Sequence, residues 1–278
     1  MKKLATSISL ATTALLSLLA VQAHAACADV EGACTVPMGE YHIALPGDAS
    51  EGIPALVMLH GAGGRGEGMV NLLRAEARES GWAVIGPQGL RPPVGRFSSG
   101  WSFRPGARAL RDEAAFVLQV LNDAQEKFGI DRDRVVIGGF SIGGSMASYL
   151  ACSNPELARA FTPLAGNFWR PHPVPADCAG PVDMLHTHGW NDGTVPFEGR
   201  VFRGGEVRQG DVFAAMEIWR EVNGCNLSAP DIRTNEDPFW TRVWTSCEAG
   251  SLTFSMHPGG HAIPRGWFSM VTDWFDEL

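Results

Sequence analysis

The run Val135-Val136-Ile137-Gly138-Gly139-Phe140-Ser141-Ile142-Gly143-Gly144 constrains this chain more than any other, because an apolar β-branched stretch breaks directly into Gly-x-Ser-x-Gly and then into Ser145-Met146-Ala147-Ser148. Branched residues favour a strand and the small residues that follow suit a closely packed helix, so the backbone must turn sharply between them. Such a turn strains the central residue, and flanking glycines let neighbouring backbone pass with no Cβ in the way. A serine held there, above the sheet edge, can serve as a nucleophile. The five-residue pattern is common on its own, and its weight depends on what the rest of the chain places beside it.

Apolar runs of strand length recur at 41–45, 55–59, 82–86, 135–139, 160–164, 182–186 and 252–256. Between them lie helical patterns. Phe116, Val117, Val120, Leu121, Ala124 and Phe128 repeat at three- and four-residue spacing within 111–128 and stop at Gly129, which predicts an amphipathic helix with a glycine end. Similar helices are expected at 67–80, 211–222 and 264–277. Strands alternating with helices predict an α/β fold, a mostly parallel central sheet with helices on both faces. Two Gly-rich segments, 88–108 with Phe97, Trp101 and Phe103, and 193–210, read as long functional loops.

Residues 1–25 open with Lys2-Lys3, continue through an uncharged apolar run and end in Ala23-His24-Ala25. That is the pattern of a secretory signal peptide cleaved after Ala25, leaving 26–278 as one catalytic domain. His24 stands where a lipoprotein signal needs a small or aliphatic residue before Cys27, which argues against a lipid anchor. The formal net charge of −8, with no basic run, excludes nucleic acid and an anionic membrane surface as expected partners. Six cysteines, Cys27, Cys34, Cys152, Cys178, Cys225 and Cys247, point to disulfides in an exported chain. Sequential pairing, 27–34, 152–178 and 225–247, closes a local loop each time and is the expectation.

Acyl transfer needs a nucleophile, a base, an acid that orients the base, and donors for the oxyanion. The 182–186 strand leads through His188-Gly189-Trp190-Asn191 to Asp192, and the 252–256 strand leads through His257-Pro258-Gly259-Gly260 to His261. The resulting order, Ser141, Asp192, His261, is the α/β-hydrolase order. The 55–59 strand ends in His60-Gly61-Ala62-Gly63-Gly64, a turn whose Ala62 or Gly63 N–H would join that of Ile142 in an oxyanion hole. His42, His60, His172, His186, His188 and His257 read as structural. Asp183 lies within a strand, and Glu198 lies six residues beyond Asp192. A metal set of His186, His188, His257 and His261 is disfavoured, since Pro258-Gly259-Gly260 opposes the helix that four-residue spacing needs. The chemistry calls for no metal or other cofactor. Trp101, Trp190, Phe197 and Trp267 are candidates to line a substrate pocket.

On these residues the chain resembles the secreted α/β-hydrolase esterases grouped with polyhydroxybutyrate depolymerases and the related feruloyl and acetylxylan esterases. The resemblance rests on Leu59-His60-Gly61-Ala62-Gly63-Gly64, on Phe128-Gly129-Ile130-Asp131-Arg132-Asp133-Arg134-Val135 leading to Gly139 through Gly144, on His188-Gly189 to Asp192 with Val195-Pro196, and on Gly259-Gly260-His261. It implies a serine carboxylester hydrolase acting on a 3-hydroxyalkanoate polyester or its oligomers, or alternatively on feruloyl or acetyl esters of plant polysaccharide. It also supports the 152–178 and 225–247 pairs. Ala62 replaces a frequent family cysteine, Trp190 is bulkier than usual before the acid, and Ala262-Ile263-Pro264 replaces the common tryptophan after the histidine, with Trp267 further on. These changes touch the substrate rim and leave the backbone donors intact.

Overall fold

A computed structural model describes Cys27 and residues 32–47, 51–92, 98–205, 207–226 and 229–278. The expected signal peptide and Phe97 lie outside the described residues. The chain runs β1 (Cys34–Val36), β2 (Gly39–Ala44), β3 (Ile53–Leu59), α1 (Gly66–Glu79), β4 (Ala83–Pro87), α2 (Glu113–Phe128), β5 (Ile130–Phe140), α3 (Ile142–Ser153), β6 (Ala160–Leu164), β7 (Trp169–Arg170), β8 (Asp183–Gly189), β9 (Val201–Phe202), β10 (Val207–Gln209), α4 (Val212–Val222), β11 (Ile232–Glu236), β12 (Phe239–Trp244), β13 (Ser251–His257) and α5 (Trp267–Asp276).

Ten strands form one sheet in the order β1-β2-β4-β3-β5-β6-β8-β13-β12-β11. The six from β4 to β13 are mutually parallel, and antiparallel strands extend both edges. Period-two alternation explains the two layers of helices. Ala55, Val57 and Leu59 of β3 join a core with residues of α2, α3 and α4, whereas Leu56 and Met58 join a second core with residues of α1 and α5. The observed architecture is the expected α/β-hydrolase sheet with both faces covered.

The helix ends follow their sequence signals. Asp112 accepts a hydrogen bond from the Ala115 N–H at 3.0 Å, and Gly129 closes α2 in the left-handed region at φ 72°. Asp211 caps α4 in the same way through the Ala214 N–H. β5 begins at Ile130, before its apolar run, because Ile130 already pairs with Ile53 and the polar 131–134 lie at the partly exposed end of the sheet. Within 193–210, where a loop is expected, β9 and β10 form, with β7, a small antiparallel sheet in which β10 is the central strand. The β11–β12 hairpin also lacks a sequence signal, since β11 is exposed throughout and no apolar alternation is needed there.

Disulfides join Cys27 to Cys34, Cys152 to Cys178 and Cys225 to Cys247, the sequential pairing expected. Among the described residues no helix is long and apolar enough to cross a membrane.

Candidate active site

Ser141 sits between β5 and α3 with φ 60° and ψ −120°, a conformation that costs a non-glycine residue roughly 1–3 kcal/mol. Two backbone bonds hold it there. Its N–H donates to the Leu164 carbonyl and its own carbonyl accepts from the Ser145 N–H, both at 2.9 Å. The motif glycines answer to packing. A Cβ on Gly143 would run into the Leu59 carbonyl at the end of β3, and a Cβ on Gly139 would run into the Gly143 carbonyl. Gly166, outside the motif, is equally confined, since its Cβ would strike the Ser141 carbonyl.

The three residues spaced along the chain converge at the carboxyl ends of β5, β8 and β13. His261 Nε2 lies 2.9 Å from Ser141 Oγ, and His261 Nδ1 lies 2.7 Å from Asp192 Oδ2. With the Nδ1 proton donated to the carboxylate, Nε2 is free to accept from the serine hydroxyl. Asp192 is 4% exposed, and its other oxygen accepts the N–H groups of Thr194 and Val195 at 2.8 Å. Burial pushes the Asp192 carboxyl up, but the bonds from His261, Val195 and Thr194 outweigh it and hold the group below its ordinary range. Phe140 packs on the His261 ring with centroids 4.7 Å apart. Asn191 ties the two loops together, its N–H reaching the Gly259 carbonyl and its side chain the Pro258 carbonyl.

The turn after β3 is strapped from behind. The Gly63 N–H donates to the Ser99 carbonyl at 3.0 Å, so among the described residues Ala62 is the member of that pair whose N–H remains without an acceptor. His60 is fully buried. It accepts from the Gly89 N–H at Nε2 and donates from Nδ1 to the Gly61 carbonyl, and burial lowers its pKa. Ile142 opens α3, where the first helical N–H groups point out of the helix. The N–H groups of Ala62 and Ile142, expected as oxyanion donors, thus both lack an acceptor among the described residues.

Trp101 and Trp267 are buried in the core instead of open to solvent. Trp101 is 8% exposed, donates its indole N–H to the His60 carbonyl at 2.8 Å and packs on the His60 ring, so it braces the turn. Trp267 is fully buried at the start of α5 with its indole N–H on Thr187 Oγ1. Each had the apolar bulk of a pocket residue, but the core claimed that bulk. Trp190 does lie open, 56% exposed, with Phe197 5.6 Å behind it. Sequence reasoning missed an aromatic group one turn beyond the serine, where Trp169 donates to Ser145 Oγ and packs with Phe103 and Phe202. Its members come from β7, β9 and the loop before the second helix, and only the tertiary fold joins them.

The histidines beside the triad are buried and hydrogen-bonded through at least one ring nitrogen each. His188 donates from Nε2 to the Val195 carbonyl and accepts at Nδ1 from His186, against which it stacks. His257 accepts the Gly259 N–H at Nδ1. Burial lowers the pKa of all three, furthest for His186. Among the described residues no group of three or more His, Cys, Asp or Glu side chains converges as a metal site.

Comparison with known proteins places the chain among esterases. The model of the phospholipase/carboxylesterase family matches residues 42–202, a span that holds the turn after β3, Ser141 and Asp192. A protein of Aspergillus niger named "Probable feruloyl esterase C" is 29% identical over 80% of this chain and 76% of its own length. Feruloyl esterase C of Emericella nidulans is 25% identical over the same shares, 80% and 76%. Among solved structures, an acetyl xylan esterase from Aspergillus awamori superimposes with a TM-score of 0.67 at 17% identity, over 89% of this chain and 99% of that one. The last likeness is one of fold.

Proposed function

The chain belongs to the phospholipase/carboxylesterase family, and from that premise we propose that it is an exported serine esterase whose substrates are feruloyl or acetyl esters of plant polysaccharide. The observation that carries the chemistry is the hydrogen-bonded line from Ser141 Oγ through His261 to Asp192, at 2.9 and 2.7 Å. In this scheme Ser141 Oγ attacks the ester carbonyl as its proton passes to His261 Nε2. Asp192 fixes the tautomer and stabilises the imidazolium. The Ala62 and Ile142 N–H groups receive the oxyanion, each worth about 3–4 kcal/mol in the transition state. His261 then returns the proton to the departing alkoxide, leaving an acyl-serine, and a water activated by His261 releases the acid. No cofactor enters any step.

The substrate class rests on the two feruloyl esterases, which align with four-fifths of the chain. The polyester alternative rests on motif resemblance alone. Export is supported by the three disulfides, which persist in oxidising compartments. A panel of feruloylated arabinoxylan, acetylated xylan and 3-hydroxybutyrate oligomers tests the reading. Release of ferulate or acetate is expected, and release of 3-hydroxybutyrate alone would overturn it. Ser141→Ala should abolish turnover of p-nitrophenyl acetate, and wild-type rates in that variant would sink the nucleophile assignment.

A further inference from the structure

Beside the acid and base loops, away from Ser141, an open cavity of about 400 Å³ is lined by Trp190, Asn235, Trp240, Arg242 and Met256. The sheet register builds it. Asn235, Trp240 and Met256 stand opposite one another across β11, β12 and β13, and Met256 pairs in turn with His188, two residues before Trp190. The two indoles meet edge-on at 6.5 Å. On the same face, one row further along, Arg242 stands directly opposite Arg233.

Like charges directly opposed across an antiparallel pair are destabilising, and among the described residues no carboxylate pairs with either guanidinium. Arg242 Nη1 donates to the carbonyls of Thr234 and Thr241 and to Asn235 Oδ1. Those bonds fix the guanidinium plane, and among the described residues Nε and Nη2 have no acceptor. On a chain of net charge −8, this is a local positive site that lacks its counter-charge. Indole surfaces hold the flat apolar side of a ring, a planar amide reads hydroxyls, and a guanidinium fork reads a carboxylate. The sheet order puts β12 four positions from β5, about 19 Å at about 4.8 Å per strand. That separation suits a distal unit of a long substrate.

We propose that this cavity is a subsite for a carboxylate-bearing sugar, a uronic acid unit of the polysaccharide whose ester is cleaved at Ser141. The proposal rests on the polysaccharide-ester reading above. Calorimetric titration of the whole protein with a glucuronic-acid-substituted xylo-oligosaccharide, a neutral xylo-oligosaccharide and ferulate tests it, with p-nitrophenyl acetate turnover as a separate readout of the esterase. The acidic oligosaccharide should bind about tenfold more tightly than the neutral one, the scale of a charge-assisted hydrogen bond. Arg242→Gln should erase that preference and leave p-nitrophenyl acetate turnover unchanged. Arg233→Gln, which removes an exposed charge outside the hairpin's hydrogen bonds, should reduce the preference and covers the case in which Arg242→Gln unfolds the hairpin. Trp240→Ala should weaken both oligosaccharides alike. Equal binding of the two oligosaccharides by the wild type, a preference that survives both arginine variants, or ferulate binding as tightly as the acidic oligosaccharide would each overturn the subsite. Failure of the esterase reading would show instead as lost ester turnover with the titrations unaltered.

Discussion

The two arms of the carboxyl edge are built from different materials. On the nucleophile arm β3, β5 and α3 meet backbone to backbone, with Gly139 and Gly143 placed where any Cβ would enter a carbonyl. On the other arm β8 and β13 pair as a parallel ladder, and the loops at their carboxyl ends add side chains to that backbone frame, with Asp192, His261, Asn191 and two stacked, buried histidines sharing hydrogen bonds. The first arm has no rotamer through which to yield. The second can be altered one group at a time, which separates positioning from folding.

Asp192→Asn should break the contrast most sharply. It keeps the shape of the side chain but favours the wrong imidazole tautomer, so kcat for p-nitrophenyl acetate should fall about 10⁴-fold with the fold intact by circular dichroism. Gly143→Ala should do the reverse and cost stability first, about 3 kcal/mol or more by denaturant unfolding, since the Leu59 carbonyl cannot step aside. Equal melting of Gly143→Ala and wild type would contradict the backbone account.

Acid should probe the buried histidines, three on the β8–β13 arm and His60 behind the turn after β3. His60, His186, His188 and His257 are buried, and burial lowers each folded pKa. Below the unfolded value of about 6.5 the unfolded chain therefore binds more protons than the folded one, and stability falls with falling pH. Each such histidine contributes up to about 1.4 kcal/mol per pH unit until its folded pKa is reached. Thermal melts from pH 7.5 to pH 5 should show the decline beginning near about pH 6.5. Asp192, held below its ordinary range, adds its loss only at lower pH, as the carboxyl protonates. The smallest effect is expected for Trp101→Phe, which removes the indole donor to the His60 carbonyl. About 1 kcal/mol of stability should go, with kcat reduced more than KM as the oxyanion turn loosens. An unchanged kcat would leave Trp101 as core packing alone.

The sequence by itself determined the strand, turn and helix around Ser141, the alternation that covers both faces of the sheet, and the Ser-Asp-His order, because all of these are written in near neighbours and in periods of two and 3.6. It also carried the disulfide pairing, since each bridge closes a short loop. Tertiary structure alone occupied the Gly63 N–H and left that of Ala62 without an acceptor among the described residues, because the Ser99 carbonyl arrives from another loop. It consigned Trp101 and Trp267 to support and core, and it set Arg242 against Arg233 on an exposed hairpin with no apolar period to announce it. Bulk and charge are properties of a residue. What they face is settled only when distant strands fall into register.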